Sequence, residues 1–145
     1  MKPIEPRGKK VDDGLQRGRE MRKTVLIADD NAFVRTALYE LFEREPDFTV
    51  CGLAENGREA IEEARRLCPD LIILDFAMPL MNGLEAARVL KQIMPAAIVI
   101  LYSAASDEFP EQLAVSAGIS GLISKSEKVS LLIERARGLV YPRAA

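Results

Sequence analysis

Five short runs of apolar, β-prone residues recur along this chain, each followed by an amphipathic stretch, and this alternation restricts the fold more than any other feature. The runs are residues 24–30 (TVLIADD), 48–54 (FTVCGLA), 70–75 (DLIILD), 96–104 (AAIVILYSA) and 120–125 (SGLISK). The intervening stretches, residues 32–45, 57–68, 83–94, 110 to about 117, and 129–140, carry apolar residues at helical intervals, with Phe33, Leu38, Leu41 and Phe42 marking the first. Pro46, Pro69 and Pro95 close the first three helices and Gly118 the fourth, since neither residue continues a helix well. Strands alternating with helices predict an α/β domain built on a parallel sheet. Residues 71–74 and 97–101 are apolar at every position rather than at alternate ones, as suits strands covered by helices on both faces.

A chain of 145 residues encloses one core and leaves no room for a second full domain. With 48% hydrophobic and 29% charged residues and a formal net charge of -2, the composition is that of a globular protein without a strong pull on nucleic acid or membranes. No apolar run approaches the ~20 residues of a membrane span, and the N-terminus lacks the apolar segment of a secretory signal. Cys51 and Cys68 form no CxxC pair and lie among apolar neighbours, so they read as small core residues in a reducing cytoplasm. Histidine is absent, which excludes from this chain any chemistry needing a histidine base or ligand. Residues 1–22 carry seven Lys or Arg against four acids and little apolar content. They read as a flexible basic tail ahead of a folded domain spanning residues 23–142, with residues 143–145 as a short C-terminal tail.

In open parallel sheets ligands bind beyond the carboxyl ends of the strands, so the residues just past each strand carry the functional information. Here they are Asp29 and Asp30 after the first strand, Asp75 after the third, Ser103 after the fourth and Lys125 after the fifth. Each alone has an ordinary explanation as a helix cap, a turn residue or a solvated charge. Together, on one rim, they form a site. Three neighbouring carboxylates repel unless a cation compensates, and an all-oxygen donor set suits Mg²⁺. A lysine and a hydroxyl beside such an ion fit the oxygens of a phosphoryl group. Asp75, leaving a buried strand, is the candidate nucleophile for an acyl phosphate, with the Met78-Pro79 turn and Gly83 shaping the loop after it.

The motifs IADDN (residues 27–31), ILDFAMPLMNGLEA (73–86), LYSA (101–104) and ISKS (123–126), in this order and spacing, resemble those of receiver domains of bacterial two-component response regulators. The resemblance covers residues 24 to about 141 and is nearest to receivers that precede helix-turn-helix output domains. It implies a flavodoxin-like, doubly wound five-stranded parallel sheet in strand order 2-1-3-4-5 with five helices. It also implies that Asp75 is the phosphoacceptor for a histidine kinase or histidine phosphotransfer protein. By the same match Asp29 and Asp30 are the acidic Mg²⁺ pair, Asp75 and the Ala77 carbonyl are further ligands, Ser103 is the switch hydroxyl, and Lys125 is the phosphoryl partner. Phosphorylation would then remodel the surface of the fourth helix, fifth strand and fifth helix, around residues 109–117 and 129–140, where a partner or a second copy of the domain binds. Most apolar residues of the fifth helix are expected to face the core.

Four positions depart from the family pattern. Ser126 replaces the proline that usually follows the lysine, and Leu122 replaces an aromatic three residues before it. Ala77 and Ala105 stand where polar side chains often flank the phosphoryl group, and neither can position an attacking water. Two other readings use the same residues: a Mg²⁺-dependent phosphohydrolase with an aspartyl-phosphate intermediate, and a receiver-like adaptor that acts without phosphorylation. Ala77 disfavours the first, because that position would supply its general acid. Only PRAA follows the last helix, so no DNA-binding element fits within these residues, and the chain reads as a stand-alone receiver or a piece of a longer regulator.

Overall fold

A computed structural model describes residues 22–104 and 111–142. Its elements run β1 (Lys23–Ala28), α1 (Ala32–Glu43), β2 (Phe48–Ala54), α2 (Gly57–Leu67), β3 (Leu71–Asp75), α3 (Gly83–Ile93), β4 (Ile98–Ser103), α4 (Glu111–Ser116), β5 (Gly121–Ser124) and α5 (Val129–Val140). All strand pairs are parallel and the sheet order is β2-β1-β3-β4-β5, the flavodoxin-like arrangement that the resemblance implies. The order reverses between β1 and β3, which places a switch point where Asp29 and Asp75 leave their strands.

Every residue of β3 is buried, as the unbroken apolar run requires. Alternation along the strands divides the core into two layers. Leu26, Ile72, Leu74 and Leu101 face α2 and α3, whereas Val25, Ile27, Ile73 and Ile100 face α1 and α5. Leu132, Ile133 and Ala136 of α5 belong to the second layer, so the apolar stripe of that helix is mainly core. Its far end is held by Arg137, which donates to both carboxylate oxygens of Asp47 (2.7 and 3.0 Å) and to Glu45 (2.7 Å). This fixes the helix that follows the Lys125 loop.

The helices that follow β1, β2 and β3 are all started by asparagine. Asn31 accepts from the Phe33 and Val34 amides, Asn56 from that of Glu59, and Asn82 shares a reciprocal capping box with Glu85. Each cap satisfies amides that a helix start leaves without partners. The chain turns quickly into helix after β1 and β2, whereas a longer loop, residues 76–82, joins β3 to α3.

Some expectations need correction. Phe33 is 89% exposed, while Leu38 and Phe42 are buried. At about 100° per residue Phe33 lies opposite Phe42 on α1, so it cannot share that face. The cysteines are not core residues: Cys51 is half-buried on the edge strand β2, and Cys68 is exposed in a left-handed conformation (φ 49°) just past α2. β2 matches its predicted run, but the other strands are shorter than theirs. β1 ends at Ala28, leaving Asp29 and Asp30 outside it, and β4 and β5 lose their outermost residues. Residues 1–21, Ala105, Phe109, Pro110 and residues 143–145 lie outside the described residues.

Candidate metal and phosphoryl site

Asp29 is the first residue beyond β1 and is 1% exposed. Its Oδ1 accepts the Asn31 amide (2.9 Å) and its Oδ2 accepts from Lys125 Nζ (3.0 Å), so both oxygens are held in place. Arg35 of α1 donates to the Asp29 carbonyl (2.6 Å) and pairs with Glu55 at 3.6 Å, which braces the β1–α1 turn from the side. Asp30 is exposed. Asp75 closes β3, is 5% exposed, and accepts from the same Lys125 Nζ at 3.1 Å. Carboxylate oxygens of Asp29, Asp30 and Asp75 lie within 4.8 Å of one another.

Three carboxylates against one ammonium leave a formal surplus of two negative charges, the charge of one divalent cation. The electrostatic consequence falls on Asp75. Burial, and then the charge of Asp29, raise its pKa to about 6, only partly offset by Lys125. For Lys125, burial alone would lower the pKa, but the hydrogen bonds and charges of Asp29 and Asp75 outweigh it and the net direction is up. One cation shared by two acids stays charged itself while leaving one of them undercompensated. The donor set fits a hard, oxygen-preferring ion, and among the described residues no cysteine thiol or imidazole joins this cluster.

The β3–α3 loop that shapes the opening is tightly fixed. The Gly83 amide donates to the Phe76 carbonyl (2.8 Å), and a Cβ at position 83 would collide with the Asp75 carbonyl oxygen, so only glycine permits this approach. Leu80 sits at φ 70° beneath a Met81-to-Pro79 hydrogen bond of 2.7 Å, a left-handed conformation that disfavours a leucine by about 1–2 kcal/mol. Ala77, two residues after Asp75, is exposed and offers only a methyl group.

Ser103 ends β4 and is 7% exposed. Its carbonyl accepts the Lys125 amide (2.7 Å), which ties β4 to the Lys125 loop, but its hydroxyl makes no hydrogen bond to Lys125 or the three carboxylates. The structure thus joins Asp29, Asp75 and Lys125 directly, sets Asp30 beside them, and brings in Ser103 through its backbone. Tyr102 was not legible in the sequence as part of this group. It pairs in register with Asp75 and Ile123, and Lys125 Nζ stands 5.7 Å from its ring centroid. A tyrosine inside an apolar run reads as core; only the register places it beneath the lysine. Leu122 is half-buried and packs against the layer facing α2 and α3.

Comparison with known proteins agrees with this geometry. Residues 25–137 match the response regulator receiver domain family. The chemotaxis protein CheY of Thermotoga maritima is 38% identical over 114 residues, covering 79% of this chain and 94% of that protein. A protein-glutamate methylesterase/protein-glutamine glutaminase of Halalkalibacterium halodurans is 34% identical over 87% of this chain, which spans only 37% of the length of that relative. Among solved structures, the response regulator domain of Thermotoga maritima CheB superposes with a TM-score of 0.76 at 30% identity, covering 85% of this chain and 99% of that one. The chain belongs to the response regulator receiver domain family and is a receiver of the two-component kind.

Proposed function

We propose that Asp75 accepts a phosphoryl group from a histidine kinase or histidine phosphotransfer protein and that this chain works as a switch, without turning over external substrates. The observation that carries the reading is a buried carboxylate at the end of β3, undercompensated by the single lysine it shares with Asp29. Asp29, Asp30, Asp75 and the Ala77 carbonyl would hold Mg²⁺. When bound, that ion supplies positive charge to the phosphoryl oxygens. A carboxylate oxygen of Asp75 attacks phosphorus, the P–N bond to the donor imidazole breaks, and the imidazole leaves with the bonding pair and takes up a proton. Lys125 and Ser103 then engage the transferred phosphoryl oxygens, the first as a point charge and the second as a hydroxyl donor.

The phosphoryl group, with about -1.5 to -2 charge in place of the carboxylate's single charge, draws the loops after β4 and β5 toward Asp75. The surface of α4, β5 and α5, with Leu113, Val115 and Val129 exposed, is the face that would shift and receive a partner or a second copy. The cytoplasm, where such donors act, is the compartment this role requires.

The test is intact mass after incubation with Mg²⁺ and a small acyl phosphate. One added phosphoryl group is expected in the native chain and none in Asp75→Asn; an adduct on the variant, or no adduct on either protein, would refute the assignment. A second expectation concerns lifetime. Ala77 has no group to orient water, and positioned general acid–base groups are worth about 10²–10⁴-fold, so the native adduct should persist. Ala77→Asn should shorten its half-life by roughly tenfold, placing an amide where water must attack. Equal half-lives would show that the side chain at position 77 does not set the rate of hydrolysis.

A further inference from the structure

Lys125 Nζ must be held within hydrogen-bond reach of two buried carboxylates, yet it hangs on a flexible four-carbon stem. The base of that stem is fixed unusually well. Residues 124–127 form a β-turn closed by the Glu127 amide on the Ser124 carbonyl (3.1 Å), with Lys125 and Ser126 as its central residues. Inside it the Ser126 amide donates to Ser124 Oγ (3.1 Å), and the two serine hydroxyls meet at 2.7 Å. The Lys125 amide is bonded across to the Ser103 carbonyl (2.7 Å). Three consecutive amides therefore have partners, and one of them depends on a side chain, Ser124. A serine at the first turn position commonly closes such a local ring.

We propose that Ser124 and the amide of Ser126 form a clamp that positions Lys125 for the phosphoryl group, a role that rests on the function proposed for the site. The clamp also explains the residue at 126. A proline there would delete the amide that Ser124 holds, so in this chain position 126 needs a donor. Ser124 and Ser126 are positioning residues, since they touch neither carboxylate.

Beryllofluoride, a phosphoryl mimic, tests this at saturating Mg²⁺. Ser124→Ala and Ser126→Pro should each weaken its binding by roughly tenfold, the value of one hydrogen bond, whereas Mg²⁺ affinity measured alone should change less than about twofold. Ser124→Thr keeps the hydroxyl and should restore binding. Amide hydrogen exchange at Ser126 should quicken in Ser124→Ala and stay slow in Ser124→Thr. The clamp is refuted if Ser124→Ala and Ser126→Pro bind the mimic as tightly as the native chain. It is equally refuted if they lose Mg²⁺ and mimic affinity in parallel without rescue by threonine, which would mark a general structural defect. Native protein that binds no beryllofluoride would instead refute the underlying function, a result distinguishable from either.

Discussion

In metal-free protein at pH 7.5, Asp75→Asn is expected to raise the unfolding free energy by on the order of 2 kcal/mol, although it deletes the proposed phosphoacceptor. The direction follows from linkage. The carboxyl group titrates at its ordinary 3.8 when unfolded and at about 6 when folded, because burial and the charge of Asp29 oppose its ionisation. The folded state therefore binds more protons between these values, and native stability falls as pH rises through that window. Below about pH 4 both states are protonated and the penalty is absent; above about pH 6 it is fully present. Asparagine has nothing to ionise and can still accept the Lys125 hydrogen bond. The advantage of Asp75→Asn should accordingly be full at pH 7.5, shrink between pH 6 and 4, and vanish at pH 4. Mg²⁺ should narrow or reverse it, since ligand binding stabilises the native chain more than the variant. Urea unfolding in EDTA and in Mg²⁺ across this pH range measures each element. A variant that is less stable than the native chain at pH 7.5 without metal would show that Lys125 fully compensates Asp75, contrary to the geometry of a cation shared by two acids.

The same geometry explains which features the sequence disclosed. Asp29, Asp30 and Asp75 were legible because an apolar run ending on a carboxylate is unusual, and three carboxylates at two strand ends on one sheet rim leave few chemistries. A parallel sheet covered on both faces followed from apolar runs without alternation, whereas the strand order came only with the family resemblance. Side-chain partnerships across strands were less visible. Tyr102 has the ordinary look of a core residue until the parallel register sets it beside Asp75, with the lysine of the next loop above its ring. Ser124 and Ser126 flank Lys125 as two small polar residues that solvent would explain equally well, and only the turn hydrogen bonds give them a shared task. Phe33 misled in the other direction. An aromatic near the start of an amphipathic helix reads as core, but its angular position sends it to solvent. Cys68 was misread for a related reason, since apolar neighbours say nothing of a residue that ends a helix in the left-handed region.

Lys125→Met is expected to act in the opposite sense to Asp75→Asn, and the two together expose the coupling within the site. Methionine keeps most of the stem volume and removes the ammonium, leaving Asp29 and Asp75, 1% and 6% exposed at their side chains, without the cation that both accept from. Removing one partner of a buried pair costs about 3–5 kcal/mol. Lys125 is 22% exposed and Asp75 can relieve the strain by protonating, so about 2–4 kcal/mol of destabilisation is expected at pH 7.5 in EDTA. Lowering the pH to 5 should return part of that loss, because Asp75, deprived of its cation, titrates still higher. Mg²⁺ should return part of it too, supplying the missing charge from the solvent side. In the Lys125→Met background Asp75→Asn should stabilise by more than it does in the native chain, since it then removes an uncompensated charge rather than a half-compensated one. The non-additivity of this double-mutant cycle should fall within 0.5–3 kcal/mol, the range for groups in one network. Strict additivity, or a Lys125→Met protein as stable in EDTA as the native chain, would mean that the ammonium and the two carboxylates do not form one electrostatic unit. The surplus charge assigned to the site would then lose its basis.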